Sequence, residues 1–386
     1  MSASERVAIA EVVHLMAAGE PLPFRVFDAA GRLLLNEGQR VLGPSQLTAL
    51  AERGAWVERS AVEAAQAALA AAASATPPAS ARRLSLFDRW EQALWDLDTV
   101  LRSLATGRGA AAGLDGPIDA LVARVDRDAD VALFVAHRHE DRRFAMYPIA
   151  HALHAATVAL LAARQAGWPA GRQRSLVGAA LSMNVAMIDL QAQMAEQKDP
   201  PTKKQIERIR AHPDAAVGIL RAAGVADDTW LAAVRDHHES PDGKGYPRGV
   251  AEVPDEARLL RHADVYTAKI TPRALRAALA PRVATVQLLQ GAAQDPLAVA
   301  LIRTVGAHPP GTLTRLASGE VAVVTRRGAQ PATPEVSTLS DKLGRPMPQS
   351  TARQTRDPAF AITPQPVEAN VLARVLPERV YGWIDG

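Results

Sequence analysis

The sequence predicts a mainly α protein: a helical bundle preceded by a small α+β domain and followed by a short β-hairpin and an extended tail. Three observations predict it. Between residues 87 and 104, apolar residues recur at alternating spacings of three and four. From about 117 to 304, helical stretches are separated by turns rich in glycine and proline. Only two stretches, 23–58 and 312–325, show the two-residue alternation of half-buried strands.

Taken in order, Phe24 and Val26 alternate with polar neighbours, Gly31 marks a turn, and Arg32 to Leu35 reads as a second strand. Gly43-Pro44 opens a short helix that closes at Gly54, and Ala55-Trp56-Val57 is a further strand. Residues 61–73, nearly all alanine, read as helix, and Thr76-Pro77-Pro78 sets a linker at 74–83. Ser85 and Asp88 form a capping box for a helix whose stripe is Phe87, Trp90, Leu94, Leu97, Leu101 and Leu104. The stripe is too short for a coiled coil, so an intramolecular bundle face is favoured over a homodimer seam. A Gly-rich break at 107–116 precedes the α-rich block, in which Thr202 and Gln205 form a second capping box. Leu313, Leu316, Val321 and Val323 flank Ser318-Gly319 as a hairpin, and the Pro-rich stretch 331–377 reads as an extended wrap or a partly disordered tail. The expected division is 1–60, 61–116, 117–304 and 305–386.

Composition narrows the function classes. The 386 residues are 48% hydrophobic and 22% charged, which excludes a chain disordered throughout. The absence of cysteine excludes disulfides and thiolate metal sites and suits a reducing compartment. The pI near 9.4 reflects a net charge of +3 with little to titrate above neutrality, rather than a basic stripe, so nucleic acid is not an expected partner. No run of 18 apolar residues free of charge is read, so a membrane span is not expected. Glu5 and Glu11 interrupt any apolar signal core, and a cytoplasmic location is the expectation.

Histidines concentrate in the α-rich block: His151, His154, His212, His237, His238 and His262, with His137 and His139 just upstream. Imidazole and carboxylate together suit Zn, Mn or Fe. His137, His139 and His262 are read as structural or surface histidines. His237-His238 closes a helix, Asp228 to Asp236, just before a glycine-rich turn where backbone can approach a ligand.

That turn, His237-His238-Glu239-Ser240-Pro241-Asp242-Gly243-Lys244-Gly245-Tyr246-Pro247, resembles the HHExxDGxGYP signature of the HD-GYP family. These are bacterial metal-dependent cyclic di-GMP phosphodiesterases of the helical HD phosphohydrolase superfamily. Tyr147 with His151, His212-Pro213, and Ala257-Arg258 through Asp264 resemble its other ligand segments, in the right order, over about 140–290. The resemblance implies His151, His212, His237, His238 and Asp264 as metal ligands. It implies Gly245, Tyr246, Pro247, Arg273 and Arg276 as ligand-binding positions. The flanking N-terminal unit and hairpin also look like modules found in some members.

The defining dyad departs from the family. Its histidine, aspartate and lysine positions hold Met183, Asn184 and Met187. Two-metal hydrolysis uses a carboxylate bridging two ions; Asn184 has the shape without the charge, and a Met183 thioether suits Mn and Fe poorly. Met183 and Met187, one helical turn apart, are expected to share a face and plug the pocket. Three imidazoles can hold an ion without the bridge, so the expected cofactor is one divalent transition metal (Fe, Mn or Zn), or none if the histidines bond only to one another. The reading is a degenerate member that binds cyclic di-GMP or a signalling partner, such as a diguanylate cyclase, without efficient hydrolysis. The alternatives are an active phosphodiesterase and a non-binding scaffold.

Overall fold

The computed structural model describes residues 5–16, 20–41, 44–72, 84–138, 143–330, 332–367, 376–382 and 384–385. The linker expected at 74–83, together with Gly43 and His139, lies outside them. The protein is mainly helical, with a four-stranded sheet at the N-terminal end and a five-stranded sheet at the C-terminal end.

The first sheet is antiparallel, in the order Arg6–Ala8, Trp56–Glu58, Val26–Phe27, Leu33–Leu35. The helix Pro44–Glu52 leads into its second-placed strand through Gly54, which sits at φ +59, a conformation that favours glycine. This unit does not have a core to itself: one buried apolar cluster runs from Val7 through the helical bundle to Val380. A buried ion network reinforces the junction. Arg53, just after the helix Pro44–Glu52, and Arg102 both bond to the nearly inaccessible Asp98, and Arg102 continues to Asp189 at 3.0 Å.

Helix Leu86–Ala105 carries the reciprocal Ser85/Asp88 capping box. All six residues of its stripe are buried inside this chain, so the stripe serves the bundle. The Gly-rich break is shorter than expected, because Ala111–Leu114 forms a 3-10 turn and a helix already starts at Asp115. The bundle then runs through helices Asp115–Arg127, Ala129–His137, Tyr147–Gln165, Ala170–Ser182, Ile188–Glu196, Lys203–Ala222, Asp228–Asp236, Asp255–Ile270, Pro281–Ala292 and Pro296–Val305. At its centre lies Tyr147–Gln165, packed against Ala129–His137, Ala170–Ser182, Asp255–Ile270 and Pro296–Val305. Its many alanines let four neighbours approach.

Two helical stretches, Phe144–Gln165 and Ala170–Glu196, are long and apolar enough to cross a membrane by length and composition. The first carries no Asp, Glu, Lys or Arg from Phe144 to Ala163, while the second includes Arg172, Arg174, Asp189 and Glu196; 89% and 83% of their apolar windows are buried in the bundle. The C-terminal hairpin, Leu313–Leu316 with Val321–Arg326, is the centre of a larger sheet. The tail expected as an extended wrap or partly disordered adds three strands, giving the order Ala352–Gln354, Glu335–Thr338, Val321–Arg326, Leu313–Leu316, Ile362–Thr363. Each added strand is only two to four residues long, too short for its alternation to be read.

Candidate metal centre

Helix Lys203–Ala222 starts at its Thr202/Gln205 capping box and carries His212, which is 2% exposed. Pro213 follows within the same helix. A helical N–H at 213 would bond to the carbonyl of Ile209, but proline has none. That carbonyl instead accepts from His212 Nδ1 at 2.6 Å. His237 caps helix Asp228–Asp236, whose last carbonyls lack helical donors. One of them, Val234 O, accepts from His237 Nδ1 at 2.7 Å. Both rings therefore carry their proton on Nδ1, and both Nε2 atoms present bare lone pairs.

Those two Nε2 atoms stand 3.3 Å apart. With both Nδ1 positions donating to carbonyls, neither Nε2 has a proton to share, and two lone pairs at that distance repel unless a cation lies between them. Protonating either ring is disfavoured as well. Burial holds His212 down to about 3, with the neighbouring His237 lowering it further; burial lowers His237, and burial with His237 lowers His238. His238 completes the cluster: among the described residues, His212, His237 and His238 are the one group of three or more whose ligand atoms all lie within 4.8 Å of one another. Three neutral imidazoles, two of them with Nδ1 on a backbone carbonyl, have the donor chemistry and outer support of a transition-metal centre.

His151 and Asp264 form a separate pair beside this triad, with His151 Nε2 to Asp264 Oδ1 at 2.6 Å. Burial alone would raise the Asp264 carboxyl, but the hydrogen bond and charge of His151 and the nearby His238 and His237 outweigh it and hold it ionised. The five expected ligands are thus a triad plus an adjacent pair whose carboxylate acts on His237 and His238, and not one equidistant cluster. Tyr147, one turn before His151, stacks on it with centroids 5.7 Å apart, and Arg273 donates from Nε to Tyr147 Oη at 2.8 Å.

The glycine-rich turn is fixed from below. Glu239 is fully buried, and its carboxylate accepts from the backbone N–H groups of Arg248, Gly249 and Val250 at 2.6, 3.2 and 3.2 Å. At Gly245 a Cβ would lie 2.4 Å from Glu239 Cα and 2.6 Å from His238 O, so only glycine fits. Tyr246 thereby lies flat on His238 (4.5 Å, 23°), with Arg210 5.9 Å from its ring centre. Pro247 follows in the same turn. Arg273 and Arg276 lie past the end of helix Asp255–Ile270, in a tight turn closed by Arg276 N to Arg273 O at 3.0 Å. Burial and the neighbouring Arg273 charge both lower Arg276.

The dyad positions are built differently. Helix Ala170–Ser182 ends before Met183, and a 3-10 turn, Val185–Met187, packs against the helix that carries His212. The expectation that Met183 and Met187 share one helical face is therefore corrected. The helix breaks at Asn184, so Met183 is wholly buried in the core while Met187 is half exposed. Asn184 is buried and its Oδ1 has no partner among the described residues; the same holds for His151 Nδ1. His137 and His262 have structural roles: His137 bridges Leu133 O and Tyr266 Oη, and His262 pairs with Asp295 at 2.8 Å. Sequence reasoning assigned no role to Glu239 or Arg210. The glutamate stands inside the signature, and its position directly before the turn was the available signal.

The family profile described as HD domain matches residues 126–297. Cyclic di-GMP phosphodiesterase PdeB of Borreliella burgdorferi is 21% identical over 161 residues, 41% of this chain and 42% of that protein. Cyclic di-GMP phosphodiesterase PA4108 of Pseudomonas aeruginosa is 25% identical over 209 residues, 53% of this chain and 50% of that protein. The chain thus spans half or less of the length of these curated relatives. Among solved structures, Bd1817, an HDG"Y"P protein from Bdellovibrio bacteriovorus, aligns with a TM-score of 0.49 at 13% identity, over 78% of this chain and 97% of that one. Residues 126–297 thus resemble an HD domain, and the chain is distantly similar to cyclic di-GMP phosphodiesterases.

Proposed function

We propose that this protein acts in bacterial cyclic di-GMP signalling as a degenerate HD-GYP domain, binding the nucleotide at a one-metal centre and hydrolysing it poorly. The observation that carries the reading is the contrast at Asn184: where two-metal hydrolysis needs a bridging carboxylate, a buried neutral amide stands with its oxygen unpaired among the described residues. His212, His237 and His238 would hold the single ion, which as a Lewis acid would polarise a phosphoryl oxygen.

The chain's own groups account for binding. Arg273 and Arg276, two cations held side by side in one turn, offer charge-assisted hydrogen bonds to a phosphodiester. Tyr246 presents an aromatic face against which a base can stack, and the Glu239 latch keeps that face in place. Without the bridging carboxylate and the lysine replaced by Met187, the site lacks the clamp on attacking and leaving oxygens that separates hydrolysis from binding. Losing several kcal/mol of transition-state stabilisation lowers the rate about tenfold for each ~1.4 kcal/mol.

The test is to incubate the purified protein with cyclic di-GMP and added Mn or Fe, follow the linear product, and measure binding by calorimetry. Saturable binding that weakens in Arg273→Ala, with turnover far below about 1 per second, is expected. Turnover at enzyme rates would establish the phosphodiesterase alternative. No heat of binding would favour the scaffold.

A further inference from the structure

We propose that Pro213 is a positioning residue for the metal centre: by leaving the Ile209 carbonyl without its helical donor, it fixes the tautomer of His212. Proline in a helix interior removes one i→i−4 hydrogen bond, and its ring pushes the carbonyl four residues back away from the helix. Residue 213 lies in the middle of the helix Lys203–Ala222, well away from the first turn where proline is tolerated. A local rule broken inside a regular element points to a functional reason. The displaced carbonyl belongs to Ile209, and it is the one that His212 Nδ1 reaches at 2.6 Å.

An independent observation in the same centre supports this role. His237 makes the same contact to the carbonyl three residues back, Val234 O at 2.7 Å. There the helix end supplies a carbonyl free of helical donors. His212 lies mid-helix, where no such carbonyl exists unless one is made, and Pro213 makes it. Two different backbone devices thus produce the same result, an imidazole with its proton on Nδ1 and its Nε2 lone pair turned to the other ring at 3.3 Å. If residue 213 carried an N–H, that donor would compete for Ile209 O. His212 would then gain access to the tautomer with the proton on Nε2, which cannot ligate through that atom.

The proposal rests on the metal reading only for its last consequence, because the tautomer is a property of the metal-free chain. The experiment is Pro213→Ala in the full chain, with two readouts. Nitrogen-15 histidine NMR of the metal-free protein should show His212 shifting from the Nδ1–H tautomer in wild type to a mixture in the variant. Zinc titration against a competing chelator should show affinity reduced tenfold or more. The variant is expected to melt at a higher temperature than wild type, since a helical hydrogen bond is restored, so loss of metal binding cannot be ascribed to unfolding. If His212 keeps the Nδ1–H tautomer in full, or zinc affinity stays within twofold of wild type, the positioning role is overturned. If wild type binds no zinc, the metal reading of the site falls, and the tautomer readout alone decides the proposal.

Discussion

Two regions around the candidate site are built to different standards. On the wall made by His212, His237, His238 and the glycine-rich turn, the placing bonds are made: two imidazoles sit on carbonyls, a buried carboxylate takes three backbone N–H groups, and a tyrosine lies flat on a histidine. At His151 and in the segment 183–187, by contrast, the helix ends, a methionine enters the core, and two buried polar atoms have no partner among the described residues. Native interiors rarely leave such atoms unpaired, since each costs about 1–3 kcal/mol. The difference teaches that the segment holding Met183 and Asn184 is packed as core, while the histidine cluster and its turn are organised for a ligand.

The largest expected effect comes from attacking the organised wall. His237→Ala removes one of three donors and should reduce bound metal at least tenfold by elemental analysis, with the helical circular dichroism retained. If metal content is unchanged, the ion sits elsewhere and the comparison of the two regions collapses. Gly245→Ala attacks the same wall through backbone alone. Its Cβ would meet three backbone atoms at 2.4–2.6 Å, so the variant should lose about 3 kcal/mol in denaturant unfolding. A loss under about 0.5 kcal/mol would show that the turn is soft.

Acid should weaken the bundle through a group outside both regions. Burial holds His137 down to about 4 against an ordinary 6.5. Between those values the unfolded chain binds a proton that the folded chain refuses, so stability is full above pH 6.5 and falls as pH drops toward 4. The contribution is roughly 3 kcal/mol. In His137→Gln the slope of stability against pH should be shallower across that window, and an unchanged slope would contradict the assignment. The smallest effect is expected from Glu239→Gln, which keeps an acceptor but removes its charge from beneath the turn. It should cost about 1–2 kcal/mol and weaken cyclic di-GMP binding more than it weakens metal binding. An equal loss of both would mean that the latch serves the whole centre and not the turn.

Much of this was legible in the sequence because it depended on local chemistry. The capping boxes at Ser85 and Thr202, and the 87–104 stripe, are i, i+3 and i, i+4 relations that a chain displays in order. The histidine turn was legible because close backbone approach demands glycine at 245 and shows it. What escaped depended on distant partners. The short strands between 335 and 363 exist only because the hairpin offers them edges. The separation of His151–Asp264 from the triad is set by how three helices meet. The break at Asn184 was missed because residues 179–187 carry no proline or glycine to announce it; tertiary packing against the helix of His212 decides it. The shared core of the N-terminal sheet and the bundle is likewise a tertiary fact, which no boundary in composition reveals.

The account's central claim is that the histidine wall holds an ion and the segment with Met183 and Asn184 lacks the means to hold a second. It is tested most directly by counting metal ions per chain, by elemental analysis of protein prepared without oxygen, in wild type and in the double variant Met183→His with Asn184→Asp. The account predicts about one ion in wild type and a rise toward two in the variant, as a carboxylate and an imidazole replace an amide and a thioether. Two ions in wild type, or none, would contradict it, as would a folded double variant whose count does not rise.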